Sequence, residues 1–312
     1  MRGSVAGIAL VGAACAAAAG CQLREITLAE PEDVIVAEIV LQAGGTLQLA
    51  WLHRTLGSDS LAVPGATVEV TGPGGGIVAF RPASARVCVD SSAAFAPDTS
   101  GSCYSASTAP STIAPGESYT LDIVTAEGRR LTGTTTVPGP LRVTRPASLA
   151  GAISGQPGCA LPAATLLPLT WTRSSGAWVY VSETRMLHVR RAFDPASPDD
   201  RPLDLVGLSV SAADTTIVFP SEFGLFDRAD SADAPLLRAL QGGLPAGVSA
   251  TVTIAAADRN YVDWVRRGSF NPSGVVQIPS IRGDGTGVFG SVVPVRFAVT
   301  SAAGSTLPPC TS

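Results

Sequence analysis

Short runs in which apolar side chains recur at every second position, each cut off by glycine, proline or aspartate, govern what this chain can fold into. A period of two puts alternate side chains on opposite faces of a strand, so each run has one apolar face that needs a second layer to cover it. Residues 46–54 (TLQLAWLHR) place Leu47, Leu49 and Trp51 on one face. Val68 and Val70 alternate ahead of a glycine-rich turn, and strand candidates follow at Ile77 to Arg81 and Arg86 to Val89. Tyr119, Leu121 and Ile123 alternate, Glu127-Gly128 turns, and Leu131 to Val137 returns as the second arm of a hairpin. Many short strands between turn residues fit two packed sheets better than helical or βαβ layouts. Residues 34–140 are therefore expected to form an immunoglobulin-like or transthyretin-like β-sandwich.

The prolines of VPGPLRVTRPAS suggest a break in the pattern, and 141–158 reads as a linker. Beyond it, LLPLTWTRSSGAWVYVSETRMLHVRR contains two strands about a Ser-Ser-Gly turn, with further strands expected at Leu203 to Val210 and Thr215 to Phe219. A helix is expected over 234–241 (APLLRALQ), ended by Gly242-Gly243. Val248, Ala250, Val252 and Ile254 alternate as a strand running into AADRNYVDWVRRG, where Asp258 can cap a short helix carrying Tyr261, Trp264 and Val265. Val293, Val295, Phe297 and Val299 close the chain at period two. Residues 159–312 thus read as a second β-rich domain, sandwich or barrel-like, with one or two short helices.

The N-terminus carries an address. Residues 1–20 hold one charge, Arg2, and an unbroken small or apolar stretch from Val5, too short and too rich in alanine and glycine to remain as a membrane span. Ala18-Ala19-Gly20-Cys21 resembles the lipobox of bacterial lipoproteins, in which the cysteine thiol takes a diacylglyceryl group and the preceding segment is removed. A second such pattern ends at Cys15. Parity separates them: of six cysteines, processing at Cys21 leaves Cys88, Cys103, Cys159 and Cys310, an even set able to pair in an oxidising compartment, whereas processing at Cys15 leaves five. Among the three pairings of four cysteines, Cys88 with Cys103 and Cys159 with Cys310 keeps each bond within one half of the chain. Residues 21–33 then form a lipidated tether, and two acyl chains suffice for stable anchoring. The lipobox resemblance, with Gln22 where inner-membrane retention in some bacteria uses aspartate, implies residence at the outer membrane.

The order of weaker motifs adds a family resemblance. An acidic segment after the lipobox, Val63-Pro64-Gly65-Ala66-Thr67-Val68-Glu69-Val70, PGESYTLDIVTAEGRRLTGTTTVPGP, a late Tyr261-x-x-Trp264 helix and a terminal GDGTGVFGS resemble the bacterial envelope lipoproteins grouped as domain of unknown function 4249. The resemblance spans most of the mature chain. It implies location and architecture without a chemistry, and it implies association with outer-membrane TonB-dependent uptake systems.

Candidate chemistry is sparse. All 21 basic residues are arginine, dispersed along a chain of net charge −4, so nothing suggests a nucleic-acid partner. With only His53 and His188, no histidine-rich metal site can form, and four paired cysteines leave no thiolate for metal or nucleophilic catalysis. No cofactor is expected. GTGVFG at 285–290 matches G-x-G-x-x-G literally, but a dinucleotide site needs a helix after the glycines and here a strand follows; Gly285, Gly287 and Gly290 read as a turn or bulge with at least one positive φ. The RGD at 282–284 overlaps that turn. Asp227, Asp230 and Asp233 lack the glycine and distal glutamate of a calcium loop, and the acids from Asp194 to Asp204 read as an exposed loop without partners. Two functional classes follow: a non-catalytic, membrane-anchored binding protein, which is preferred, and an extracytoplasmic hydrolase, for example of glycans, using two carboxylates as acid and base.

Overall fold

The computed structural model describes residues 32–55, 60–91, 100–150, 158–209, 211–221, 234–265 and 278–311. Cys21, most of the tether and the aspartates at 227, 230 and 233 lie outside the described residues.

The first half is a sandwich of short strands. Its strands are β1 (Ile35–Gln42), β2 (Leu47–Arg54), β3 (Thr67–Thr71), β4 (Ile77–Ala83), β5 (Ser102–Ser107), β6 (Ser118–Val124) and β7 (Arg130–Thr136). β1 and β5 fall outside the alternating runs given above, and in β2 it is Ala50 and Leu52 that face the core, with Leu47, Leu49 and Trp51 on the opposite face. Strand β4 turns the corner between the layers: its first part pairs with β3 and Arg81–Ala83 pairs with β5. The expected β6–β7 hairpin forms, and Gly128 takes φ +82° in its turn. Inward-facing Ile39, Leu52, Val68, Leu121 and Leu131 fill the space between layers. Two tyrosines pin the crossing loops by using both hydrogen-bonding capacities of the phenol. Tyr104 Oη donates to Val63 O and accepts from Ala66 N; Tyr119 Oη donates to Thr112 O and accepts from Ala114 N.

Three expectations are corrected here. Arg86 to Val89 is not a strand but part of α1 (Ala85–Ser91), because β5 already has β2 on one edge and β4 on the other and offers no free ladder. The helix instead lays Cys88 against Cys103 and Trp51, where the disulfide closes. The linker expected at 141–158 is integral to the body over its described part. Val143–Arg145 forms β8, and Leu141, Val143 and Leu149 are buried, because alternate residues of the proline-rich run are apolar. The division into 34–140 and 159–312 also fails as a physical boundary, for the reason that follows.

The final strand, β16 (Gly285–Thr300), is 16 residues long and belongs to both halves. Gly285 to Val292 pairs in parallel with Ile35 to Gln42 of β1. Val292 to Thr300 pairs antiparallel with β14 (Ser249–Ala257), which leads to β11 (Val179–Leu187) and β12 (Leu203–Leu208). β9 (Gly158–Ala160) joins the end of β16, and β15 (Ile281–Gly283) pairs with β7 on the opposite layer of the first sandwich. Facing the second half's large sheet is a three-stranded one, β13 (Thr216–Phe219), β10 (Leu167–Trp171) and β8. The strands flanking the Ser-Ser-Gly turn therefore do not pair with each other. They lie in opposite layers, and Trp171 of β10 meets Tyr180 of β11 edge to face at 5.4 Å. The second half is thus also a sandwich, and one continuous apolar core runs through both.

Among the described residues, three short α-helices complete it: α2 (Val189–Phe193), α3 (Ala234–Leu240) and α4 (Arg259–Val265). A second disulfide joins Cys159 on β9 to Cys310.

The glycines of GTGVFG lie inside β16 and are not a turn, and their role is close backbone approach. Gly287 takes φ +132°, and a Cβ there would sit 2.0 Å from Ala37 O of β1. Gly287→Ala should therefore destabilise by about 3 kcal/mol or more. Gly128→Ala, strained in φ but with open space around it, should cost only about 1 kcal/mol. Urea unfolding of both variants checks the contrast. Removing the Cys159–Cys310 bond, which spans 151 residues, should cost more than removing Cys88–Cys103, which spans 15. The chain-entropy expectation is about 5 against about 3 kcal/mol, read from the same unfolding curves.

Candidate functional site

Two polar constellations stand out, one buried and one open. The buried one begins with Asp258, which caps α4 as its position before RNYVDWV predicts: Oδ1 accepts from Tyr261 N at 2.9 Å. The same oxygen accepts from Ser291 N of β16 at 3.1 Å, and Oδ2 accepts from the Thr135 hydroxyl of β7 at 2.7 Å. Ser291 Oγ lies 2.9 Å from Thr135 Oγ1, and Asn260 Nδ2 donates to Thr134 O and Phe289 O. A capping carboxylate thus ties together α4, β7 and β16. Burial pushes the Asp258 carboxyl above the usual aspartate range, against the pull of the hydrogen bonds from Thr135, Tyr261 N and Ser291 N. Ser291 is fully buried, and this serine, threonine and aspartate group joins α4, β7 and β16.

Helix α4 also carries Trp264 onto the outer face of the sheet, over Val36 and Val288. Its indole Nε1 donates to Glu38 Oε1 at 3.1 Å. Burial raises the Glu38 carboxyl, opposed by the His53 imidazole and the indole hydrogen bond. Neither Glu38 nor its link to Trp264 was legible in the sequence, since the two are far apart in the chain.

The open constellation is a cleft of about 510 Å³ where the tether enters β1, lined by Glu32, Asp33, Glu127, Arg129 and Asp284 among others. Three of these acids, Asp33, Glu127 and Asp284, are engaged. Arg54 bridges Asp33 and Glu127, Arg129 Nη1 lies 3.6 Å from Asp33, and Asp284 Oδ2 accepts from Arg130 N at 2.8 Å. Of the RGD stretch, Gly283 and Asp284 line this cleft, and Arg282 and Gly283 belong to β15 on the edge of the sheet.

The two histidines are apart. His53 Nδ1 lies 3.2 Å from Arg54 O on β2, whereas His188 precedes α2 at φ +64° with Nδ1 3.0 Å from Asp200 Oδ2. Among the described residues neither imidazole hydrogen-bonds a serine, threonine or cysteine. The acids from Asp194 to Asp204, expected to lack partners, prove to have them: Asp199 meets Arg190 and Arg201, Asp200 meets Arg191 and His188, and Asp204 meets Arg185. The hydrogen bonds from Arg201 hold the exposed Asp199 carboxyl well below the usual range. Arginines at 185, 190, 191 and 201 made these pairs possible, but nothing in their spacing announced them. Among the described residues no group of histidine, cysteine and acid side chains could hold a metal ion. No described helix is long and apolar enough to cross a membrane.

No family model matches the sequence, and no curated protein matches it. Among solved structures, the chain is similar to a DUF4785 family protein from Legionella pneumophila, at 10% identity and a TM-score of 0.21, over 70% of this chain and 51% of that one. The chain thus spans about half the length of that protein.

The Asp258 network makes a specific demand. In Asp258→Asn the amide oxygen can keep both backbone donors while Nδ2 donates to Thr135, which then donates onward to Ser291. That variant should match or exceed the parent's stability at pH 7. In Asp258→Ala, Tyr261 N and Ser291 N are orphaned, at a cost of about 3 kcal/mol. Because the folded-state pKa is raised, the folded chain binds its proton more tightly than the unfolded one, so this group's contribution falls as pH rises from the ordinary aspartate value near 4 through the raised one. Urea unfolding across pH should show that part of the slope vanish in Asp258→Asn.

Proposed function

We propose that the chain is a bacterial envelope lipoprotein, anchored through Cys21, whose β body binds a partner and does not catalyse a reaction. The observation that carries this reading is the pairing of all four downstream cysteines, Cys88 with Cys103 and Cys159 with Cys310. Two disulfides belong in an oxidising compartment, and their formation leaves Cys21 as the unpaired thiol of the mature chain. The open cleft supports the non-catalytic part. Glycoside hydrolysis needs one carboxylic acid kept protonated across a cleft from a second, ionised one. Here a single guanidinium, that of Arg54, lies between Asp33 and Glu127 and hydrogen-bonds both, so the two carboxylates already hold each other's position through it. The raised carboxyls of Glu38 and Asp258 are not among the residues lining this cleft. The partner expected is an outer-membrane TonB-dependent transporter or an extracellular ligand, with the body held at the outer membrane by its lipid.

Metabolic labelling with a fatty acid tests the anchor. Parent and Cys15→Ser proteins should incorporate label and sediment with outer-membrane fractions; Cys21→Ser should incorporate none and appear soluble or unprocessed. Label retained by Cys21→Ser would overturn the reading.

A further inference from the structure

If the chain is held by lipid at its N-terminus and by a partner on its second half, any relative movement of the two loads the structure along one path. We infer that the chain is built to carry tension between its tether and its second sandwich, with the β1–β16 pair as the mechanical clamp. The argument is geometric. Tension from the tether enters β1 at Ile35, the end nearest the membrane. Tension from the second sandwich enters β16 from the opposite end, because Val292 to Thr300 is built into that sandwich by its pairing with β14. The strands are parallel, and Ile35 to Gln42 lies in register against Gly285 to Val292. Opposed pulls along two parallel strands shear every inter-strand hydrogen bond at once. Pulls that separate the strands at one end break those bonds one at a time.

The entry point is guarded against such peeling. Val34 N donates to Thr55 Oγ1 and Thr55 N donates to Val34 O, tying the tether's last residues to the end of β2. Asp33 is held by Arg54 and Arg129, and Arg129 also donates to Asp33 O and Asp284 O, spanning the tether and the start of β16. On the other strand, Ser291 N donates to Asp258, and Asn260 donates to Phe289 O, so β16 is also held against sliding by α4. The cleft at the tether is, on this reading, the collar of the clamp and not a ligand pocket.

Single-molecule pulling on the full mature chain carrying Cys21→Ser separates the alternatives. One pair of handles sits in the tether and at the exposed Gln241, beyond α3, loading β1 against β16 in shear. The other sits in the tether and at the exposed Ser60, just beyond β2, where β1 and β2 open like a hairpin from its free end. Forced unfolding reports the unfolding barrier along the pulled direction, and the first geometry should require at least about twice the force of the second. Gly287→Ala should lower the first force and leave the second unchanged. Should that variant not fold, the comparison of the two geometries in the parent decides alone. Equal forces would overturn the clamp, as would a lower force for the tether–Gln241 pair. The inference rests on the proposed function for the two ends at which tension enters, the lipid anchor at the tether and the partner on the second half. Label incorporation reads the anchor and pulling reads the clamp, so either can fail without the other.

Discussion

Ile35 to Gln42 finds its outer partner only in residues that the chain supplies near its other end. That parallel pairing closes the first sandwich on one side, and because the same strand continues into the second, it fixes the axial position of the two sandwiches. The approach is close enough that side chains are excluded: Cβ atoms at Gly285 and Gly287 would meet the carbonyl oxygens of Ile35 and Ala37. What looks in the sequence like a phosphate-binding glycine signature is a packing requirement of two backbones. A helix after the glycines would have made the other reading possible; valine at alternate positions made it a strand.

The second joint is polar. Asp258 gathers two backbone N–H groups and a threonine hydroxyl from three elements, and Asn260 beside it adds bonds to two of them. An apolar side chain there would leave those donors buried and unpaired, so the site selects for an acceptor, and it tolerates a charge only because three donors surround it. Apolar packing between the layers is forgiving of small sliding motions, whereas this cluster is satisfied at one relative position of α4, β7 and β16. It thereby gives the greasy interface a register.

How far the sequence revealed this depends on the range of the interaction. Strand-like runs located five of the seven first-half strands, the cap at Asp258 located α4, and cysteine parity with the half-chain argument gave the pairing found in the structure. These are local or combinatorial signals. The helix at Arg86 to Val89 was misread because whether a short apolar run becomes a strand depends on a free sheet edge, which is a property of the assembled fold. The supposed linker was misread because prolines signal a break in pattern without saying whether the alternating Leu141 and Val143 will be buried. The collar around Asp33, Arg54 and Glu127, the Glu38–Trp264 hydrogen bond and the ion pairs of Asp199 and Asp200 join residues whose proximity no spacing rule encodes.

The sharing of β16 also orders events in time. A chain made N-terminus first delivers β1 early and β15 and β16 much later, so until they arrive the first sandwich keeps one flank of β1, and the edge of β7, bare. A bare strand flank invites pairing with other chains, and contacts between distant chain segments form slowly. The long disulfide from Cys159 to Cys310 likewise waits for the last residues. Completion of the fold therefore depends on residues far along the chain: cut short before β16, the polypeptide would leave both sandwiches unfinished instead of leaving one complete half behind.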